Sequence, residues 1–316
     1  MKHSKSLITL FLSIALTLML GCSAWAQSTD VRRTGVLTPG GDAQTLTVGT
    51  VGRSPTEQMQ RILPIANYLA AQLKTQGFNK GEVVFANSPR EMVQRLVQGK
   101  VDLYFDNALF AAAVGELSGS KLLLRRWKRG VAEYESIFFT KKTSSIKRLE
   151  DFNGKIIALE YQTSAAGYLL PKFFLVKKGL KLIPKKELGP VSAKEVGYIF
   201  TNDDENTMAW VLTGKLSAGA MSQDNYLKEA RGEIGNLTVV NKTFSIPRNV
   251  VSHREGLPQK LVTQIKDILI NMAGSDDGKK VLREFEETSQ FDEITAATAK
   301  QLVEIGKWAA AELELK

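Results

Sequence analysis

The chain is short of the residues that carry covalent and acid–base chemistry. Its 316 residues include one cysteine, Cys22, and two histidines, His3 and His253. A single cysteine excludes an internal disulfide, so an exported chain must be held by its core. The sequence contains no H-E-x-x-H, no P-loop and no G-x-S-x-G. His253 follows a predicted strand and stands beside Arg254, which suits a surface or hinge residue better than a general base. The residue pattern therefore points away from an enzyme. No apolar run beyond residue 20 is long enough to cross a bilayer. The basic residues are scattered without interleaved aromatics, which argues against nucleic acid as a partner. No fixed spacing of acidic side chains supports a metal site, and no cofactor is implied.

What is present begins with a targeting segment. Lys2, His3 and Lys5 precede an apolar stretch, Leu7 to Leu20, too short for a typical membrane span. Ala24-Trp25-Ala26 forms an A-x-A cleavage site, so residues 1–26 read as a signal peptide. Leu18-Met19-Leu20-Gly21-Cys22 loosely resembles a bacterial lipoprotein box, with Cys22 as the residue that would carry the lipid. Residues 27–43, with Pro39-Gly40-Gly41, read as a flexible tether. The whole chain carries +9; the signal segment holds two lysines and no acid, which leaves a mild +7 on the exported part. About 290 residues then remain, enough for two lobes of ordinary size.

Strand-like and helix-like segments alternate from residue 46 onward, the signature of parallel sheets with βαβ crossovers. Strands are predicted at 46–51, 82–86, 101–105, 122–127 and 135–140, then at 156–159, 196–200, 216–221, 237–240 and 249–252. Helices are predicted at 57–73, broken or kinked at Pro64, then at 108–117, 146–152, 204–213, 224–231, 258–273, 277–287 and 295–313. Ser88-Pro89-Arg90-Glu91 opens another that ends at Gly99, with Ser at the N-cap, Pro at N1 and Glu at N3. Two segments echo each other: Leu96 to Leu103 and Val211 to Ala218 both read helix, Gly, Lys, strand. The predicted architecture is α/β and two-lobed, each lobe a mainly parallel sheet flanked by helices, with a cleft between them. Lobe 1 takes residues 44–135 and 245–316, and lobe 2 takes 136–244. Ligands of open α/β sheets bind at the C-terminal ends of strands, so the loops after Val51, Phe105, Glu160 and Met221 should face the cleft.

The stretch Ile156 to Tyr168 carries the sharpest functional signal. A buried strand runs to Leu159, N-cap types stand at Thr163 and Ser164, and small residues follow at Ala165, Ala166 and Gly167. Such a turn aims unpaired N–H groups outward, with the positive end of a helix dipole behind them: a seat for an anion. Pro171 lies too deep for a helix starting at Ala165. Either the first turn is kinked, or the regular helix begins near Leu170. Asp102, Asp106, Asp204, Glu205 and Asp224 fall at strand or helix ends. They read as caps and solvated ends, with the alternative that one or two receive a cationic group of a ligand.

Taken in order, several segments resemble the phosphate/phosphite/phosphonate type of ABC-transporter substrate-binding protein, a class II periplasmic binding fold. They are Leu63-Pro64 to Leu69, Glu91-Met92 to Asp102, Tyr134 to Lys142, Leu149 to Lys155, Ser164 to Gly167 with Tyr168 and Pro171, and Val211 to Ala220. The resemblance covers nearly all of residues 46–294. It implies two lobes closing on a small anion held at the helix-opening turn, and a membrane permease as partner. The alternative is a periplasmic sensing subunit that signals to a membrane receptor or kinase. Two motifs depart from the family. Where its turn resembles S-T-S-G, this chain has Ser164-Ala165-Ala166-Gly167; where its first-lobe loop resembles F-G-P-x-S-Y, this chain has Phe105-Asp106-Asn107-Ala108-Leu109-Phe110. Hydroxyl donors are lost and a carboxylate is gained. The expected binder is thus a monomer that holds the anionic end of a small ligand, phosphonate-like or carboxylate, at Thr163, Ser164, Ala165, Ala166 and Gly167. An amine or other donor would lie near Asp106 or Asp224, with Asn107 as a further ligand-binding residue and Tyr104 and Tyr134 as walls.

Overall fold

The computed structural model describes residues 44–52 and 54–315. The signal segment with Cys22, the tether, Arg53 and Lys316 lie outside them. The chain starts with β1 (Gln44–Val51), α1 (Pro55–Gln72), β2 (Phe78–Ala86), α2 (Pro89–Val97), β3 (Leu103–Asn107), α3 (Ala108–Ser118) and β4 (Lys121–Lys128). A two-residue strand, β5 (Glu133–Tyr134), leads into β6 (Ser136–Lys141), β7 (Ile156–Leu159), α4 (Leu170–Lys177), β8 (Leu182–Pro184) and β9 (Val196–Phe200). Then follow α5 (Asp204–Leu212), β10 (Ala218–Ser222), α6 (Gln223–Glu229) and β11 (Leu237–Lys242). The return runs through β12 (Ile246–Pro247) and β13 (Asn249–His253) to α7 (Gln259–Asn271), α8 (Asp276–Glu284), β14 (Thr288–Asp292) and α9 (Ala296–Glu312).

Two six-stranded sheets result, flanked by helices. The first has the order β14-β4-β13-β3-β1-β2 and the second β11-β6-β10-β7-β9-β8. In each, a run of parallel pairs, β3-β1-β2 in the first and β10-β7-β9-β8 in the second, is extended on one side by antiparallel pairs. Between the sheets the chain passes through the β5–β12 ribbon, where Tyr134 pairs with Ile246. All four residues of β7 are buried, as expected of a parallel strand covered on both faces. One apolar cluster takes residues from both sheets and from α9, among them Tyr104, Leu109, Leu159, Leu170, Leu302 and Ile305.

Local chemistry explains most boundaries. At α2, Ser88 Oγ accepts the Glu91 amide at 3.2 Å, and Pro89 occupies the first turn. The Glu91 carboxylate reaches back one residue further than a standard capping box, to the Asn87 amide at 2.8 Å. Gly99 (φ 66°) and Gly214 (φ 76°) supply the left-handed step that ends the two echoed helices. Three expectations need correction. The first helix runs unbroken through Pro64. The helix predicted at 146–152 is only a 3₁₀ turn, Leu149–Phe152, because the Asp151 carboxylate takes the amides of Lys147 and Arg148 at 2.8 and 3.1 Å. The strands β8 and β14 and the β5–β12 ribbon lie in stretches without a predicted strand, or reach beyond one.

Candidate functional site

Between β7 and α4 the chain makes a single π turn, Ala165–Leu169, before the regular helix opens at Leu170. Pro171 therefore sits in the first turn of α4, where its missing N–H costs nothing. Ser164 has extended backbone angles, and its Oγ accepts the Gly167 amide at 2.9 Å. The Ser136 hydroxyl of β6 donates to the Ala166 carbonyl at 2.7 Å and ties the turn to the second sheet. The amides of Ala165 and Ala166 find no acceptor among the described residues. They are the donors that a π turn preceding a helix leaves free.

Facing that turn from the first sheet is the end of β3. Asn107 caps α3, with its Oδ1 accepting the Phe110 amide at 3.0 Å. Asp106 Oδ1 accepts the Asn107 amide at 2.7 Å and the Asn107 side-chain N–H at 3.1 Å, and Oδ2 takes the Tyr104 hydroxyl. A cavity of about 370 Å³ joins the two sides. It is lined by Val51 and Gly52 after β1, Asn87, Ser88 and Pro89 at the start of α2, Asp106, Asn107 and Phe110, and Thr163 from the second sheet. This volume lies at the lower end of small-molecule sites.

The structure brings together Thr163, Asp106 and Asn107 and sets Ser164 to Gly167 next to Thr163 in sequence. Other expected site residues lie elsewhere. Tyr104 is not a wall: its ring is fully buried in the core, and only its hydroxyl reaches toward the site, through Asp106. Asp224 does not line the cavity; it is half exposed and pairs with Arg248 at 3.1 Å. Tyr134 lies in the β5–β12 ribbon, with a buried hydroxyl that has no partner among the described residues. Asp102 is a structural group, bonded through Oδ2 to the Thr47 amide and hydroxyl at 3.0 and 2.8 Å and through Oδ1 to the buried Arg254 at 3.0 Å. Among the described residues no three acidic, His or Cys side chains come close enough to hold a metal. His253 holds its own neighbour's carbonyl, Arg254 O, at 2.9 Å.

Two carboxyls, Asp106 in the cavity lining and Glu160 against the Ser164 turn, have unusual electrostatics. Burial pushes Asp106 up to about 6, against the downward pull of its hydrogen bonds and of the Lys128 charge. Glu160, at the end of β7, is pushed up to about 7 by burial and by the negative charges of Asp204 and Asp203, although it accepts the Ser164 hydroxyl. Glu160 was not among the expected site residues. Its signal in the sequence is the four-residue spacing to Ser164, which lets a carboxylate at a strand end reach back over the turn.

Residues 50–299 match the family described as ABC transporter, phosphonate, periplasmic substrate-binding protein. The chain belongs to that family. No curated protein matches it closely enough to add to this. Among solved structures, it is similar to XAC2383 from Xanthomonas citri bound to ATP, at 22% identity over 86% of this chain and 99% of that one, with a TM-score of 0.73. It is also similar to PhnD1 from Prochlorococcus marinus in complex with methylphosphonate, at 20% identity over 84% and 97% of the two chains, TM-score 0.52. A third is a putative sulfonate ABC transporter protein, SsuA from Methylobacillus flagellatus, at 15% identity over 86% and 88%, TM-score 0.55. At these identities the likeness establishes the two-lobed fold. As a phosphonate-family substrate-binding protein, the chain is an extracytoplasmic component that captures a small solute and delivers it to a transporter with a membrane permease. Delivery is favoured over the signalling alternative by that membership.

Proposed function

We propose that the cavity between the two sheets holds a small ligand with an anionic end at the Thr163–Gly167 turn and a hydrogen-bond donor, such as an amine, toward Asp106 and Asn107. The observation that carries this reading is the free amides of Ala165 and Ala166 beside a cavity that also takes in Asp106. A hydrogen bond to a charged group contributes roughly 1.5–3 kcal/mol. Two main-chain donors plus a hydroxyl suit a monoanion better than a dianion, which Asp106 would repel. The lobes are residues 44–135 with 245–316 and residues 136–244, and the β5–β12 ribbon is the hinge about which they close on the ligand. The protein acts as a monomer without catalysis, exported by its N-terminal segment, with cleavage after Ala26 or, as the alternative, a lipid on Cys22.

A thermal-shift screen of phosphate, phosphonates, sulfonates, amino acids and small carboxylates tests this reading. A ligand at 100 times its Kd should stabilise the protein by about 2.7 kcal/mol. Stabilisation by a monoanion, stronger when it also carries an amine, is the expected result. No response to any anion would contradict the reading.

A further inference from the structure

The strongest side-chain donor of the turn is already in use. Ser164 Oγ–H donates to Glu160 Oε2 while Ser164 Oγ accepts the Gly167 amide. The same carboxylate packs against Gly167, where an added Cβ would stand 2.5 Å from Glu160 Cβ and 2.6 Å from Oε2. Glu160 is itself fixed at both main-chain ends, its amide donating to Gly167 O at 3.0 Å and its carbonyl accepting from Asn202 at 2.7 Å. An anionic oxygen arriving at the turn thus meets a carboxylate of the protein's own.

We propose that Glu160 is the resident occupant of the Ser164 turn, and that a ligand anion engages the Ser164 hydroxyl only as Glu160 takes up a proton and releases it. This deepens the anion-binding reading and rests on it. The proton comes from solvent to the Glu160 carboxylate, and the Ser164 O–H then turns to the ligand oxygen while Oγ keeps the Gly167 amide. Glu160 then specifies the ligand: it disfavours multiply charged anions and links capture to pH. The charges acting on Glu160 support this. Burial first, and then Asp204 and Asp203 at the start of α5, disfavour its ionised form and push it up to about 7. Asp203 is held by Asn206, and Asp204 by Asn225 with Lys228 and Glu229 nearby. Asp106, across the cavity, sits with Tyr104, Asn107 and the more distant Lys128, and adds a second dependence at lower pH.

The test uses methanesulfonate, whose charge does not change between pH 6 and 8.5, in calorimetric titrations of the wild-type protein and of Glu160→Gln. One linked proton at a group titrating near 7 predicts affinity about 30-fold higher at pH 6 than at 8.5. Uptake should approach one proton per methanesulfonate at pH 8.5, read from buffers of different ionisation heat. Glu160→Gln should bind at least about tenfold tighter than wild type at pH 8.5 and lose most of the pH dependence. If that variant does not fold, proton uptake by the wild type decides. Binding without pH dependence or proton uptake overturns the Glu160 inference and leaves the anion site standing. Absence of methanesulfonate binding at every pH in both proteins overturns both.

Discussion

The two sides of the cavity use the same local device with different electrostatic surroundings. At the end of β3, Asp106 precedes an N-cap, Asn107; at the end of β7, Glu160 precedes an N-cap, Ser164, by four residues. Asp106 is enclosed by donors, the Tyr104 hydroxyl and two N–H groups of Asn107, and feels the positive charge of Lys128. Glu160 has one donor, Ser164, and acidic neighbours in Asp203 and Asp204. One carboxylate is built into its wall; the other is held by a single group that a ligand also needs. The comparison teaches that a carboxylate beside an anion seat is a fixed wall or a removable plug according to its partners, not its position.

The largest expected effect breaks the second side alone. Gly167→Ala drives a methyl group into Glu160 and should cost about 1–3 kcal/mol of stability by overpacking, measured by urea denaturation, with loss of methanesulfonate binding. Next comes the contrast in charge. Because Glu160 is raised from the ordinary glutamate range to about 7, the folded state binds more protons than the unfolded state between about pH 4.5 and 7. Its contribution is therefore present below pH 4.5 and lost as pH rises through 7. Glu160→Gln should leave stability unchanged at pH 4 and raise it at pH 8 by about 1–2 kcal/mol, less than the full shift implies because Glu160 is partly exposed. Asp106→Asn should show no such gain, since the amide cannot accept all three of the hydrogen bonds that Asp106 takes. Removing the caps is smaller: Asn107→Ala and Ser164→Ala should each cost about 1 kcal/mol in chemical denaturation, and only Ser164→Ala should also weaken methanesulfonate binding by about tenfold or more. Smallest is Lys128→Gln, which should move the titration of Asp106 above 6 in an NMR pH series and leave Glu160 where it is.

Much of this fold is legible in the sequence because strong local chemistry agrees with the periodicity. Ser88-Pro89-Arg90-Glu91 announces α2, and the conflict between a helix at Ala165 and Pro171 anticipates the π turn that resolves it. The elements without a clear signal are short or polar: β8 has three residues and contains Pro184, β5 and β12 have two each, and β14 has Phe291 as its one apolar residue. The Ser164 turn and Asp106 are legible as strand ends. That Thr163 meets Asp106 across one cavity is a tertiary fact, and so is the lining by Asn87, Ser88 and Pro89, whose sequence reads only as a helix cap. Tyr104 misleads because β3 is buried on both faces, so an aromatic near its end packs inward. Glu160 escapes notice because a glutamate ending a strand usually reads as solvated, and only the folded turn places its carboxylate on Ser164.

The central claim, that the main-chain amides of this turn grip the ligand's negative end, is tested most directly by titrating methanesulfonate into isotope-labelled protein at pH 6 and following backbone amide shifts. The largest saturable changes are expected at Ala165, Ala166 and Gly167, with smaller ones at Asp106 and Asn107 across the cavity. Saturable changes that leave residues 163–167 still and gather on another surface would contradict it.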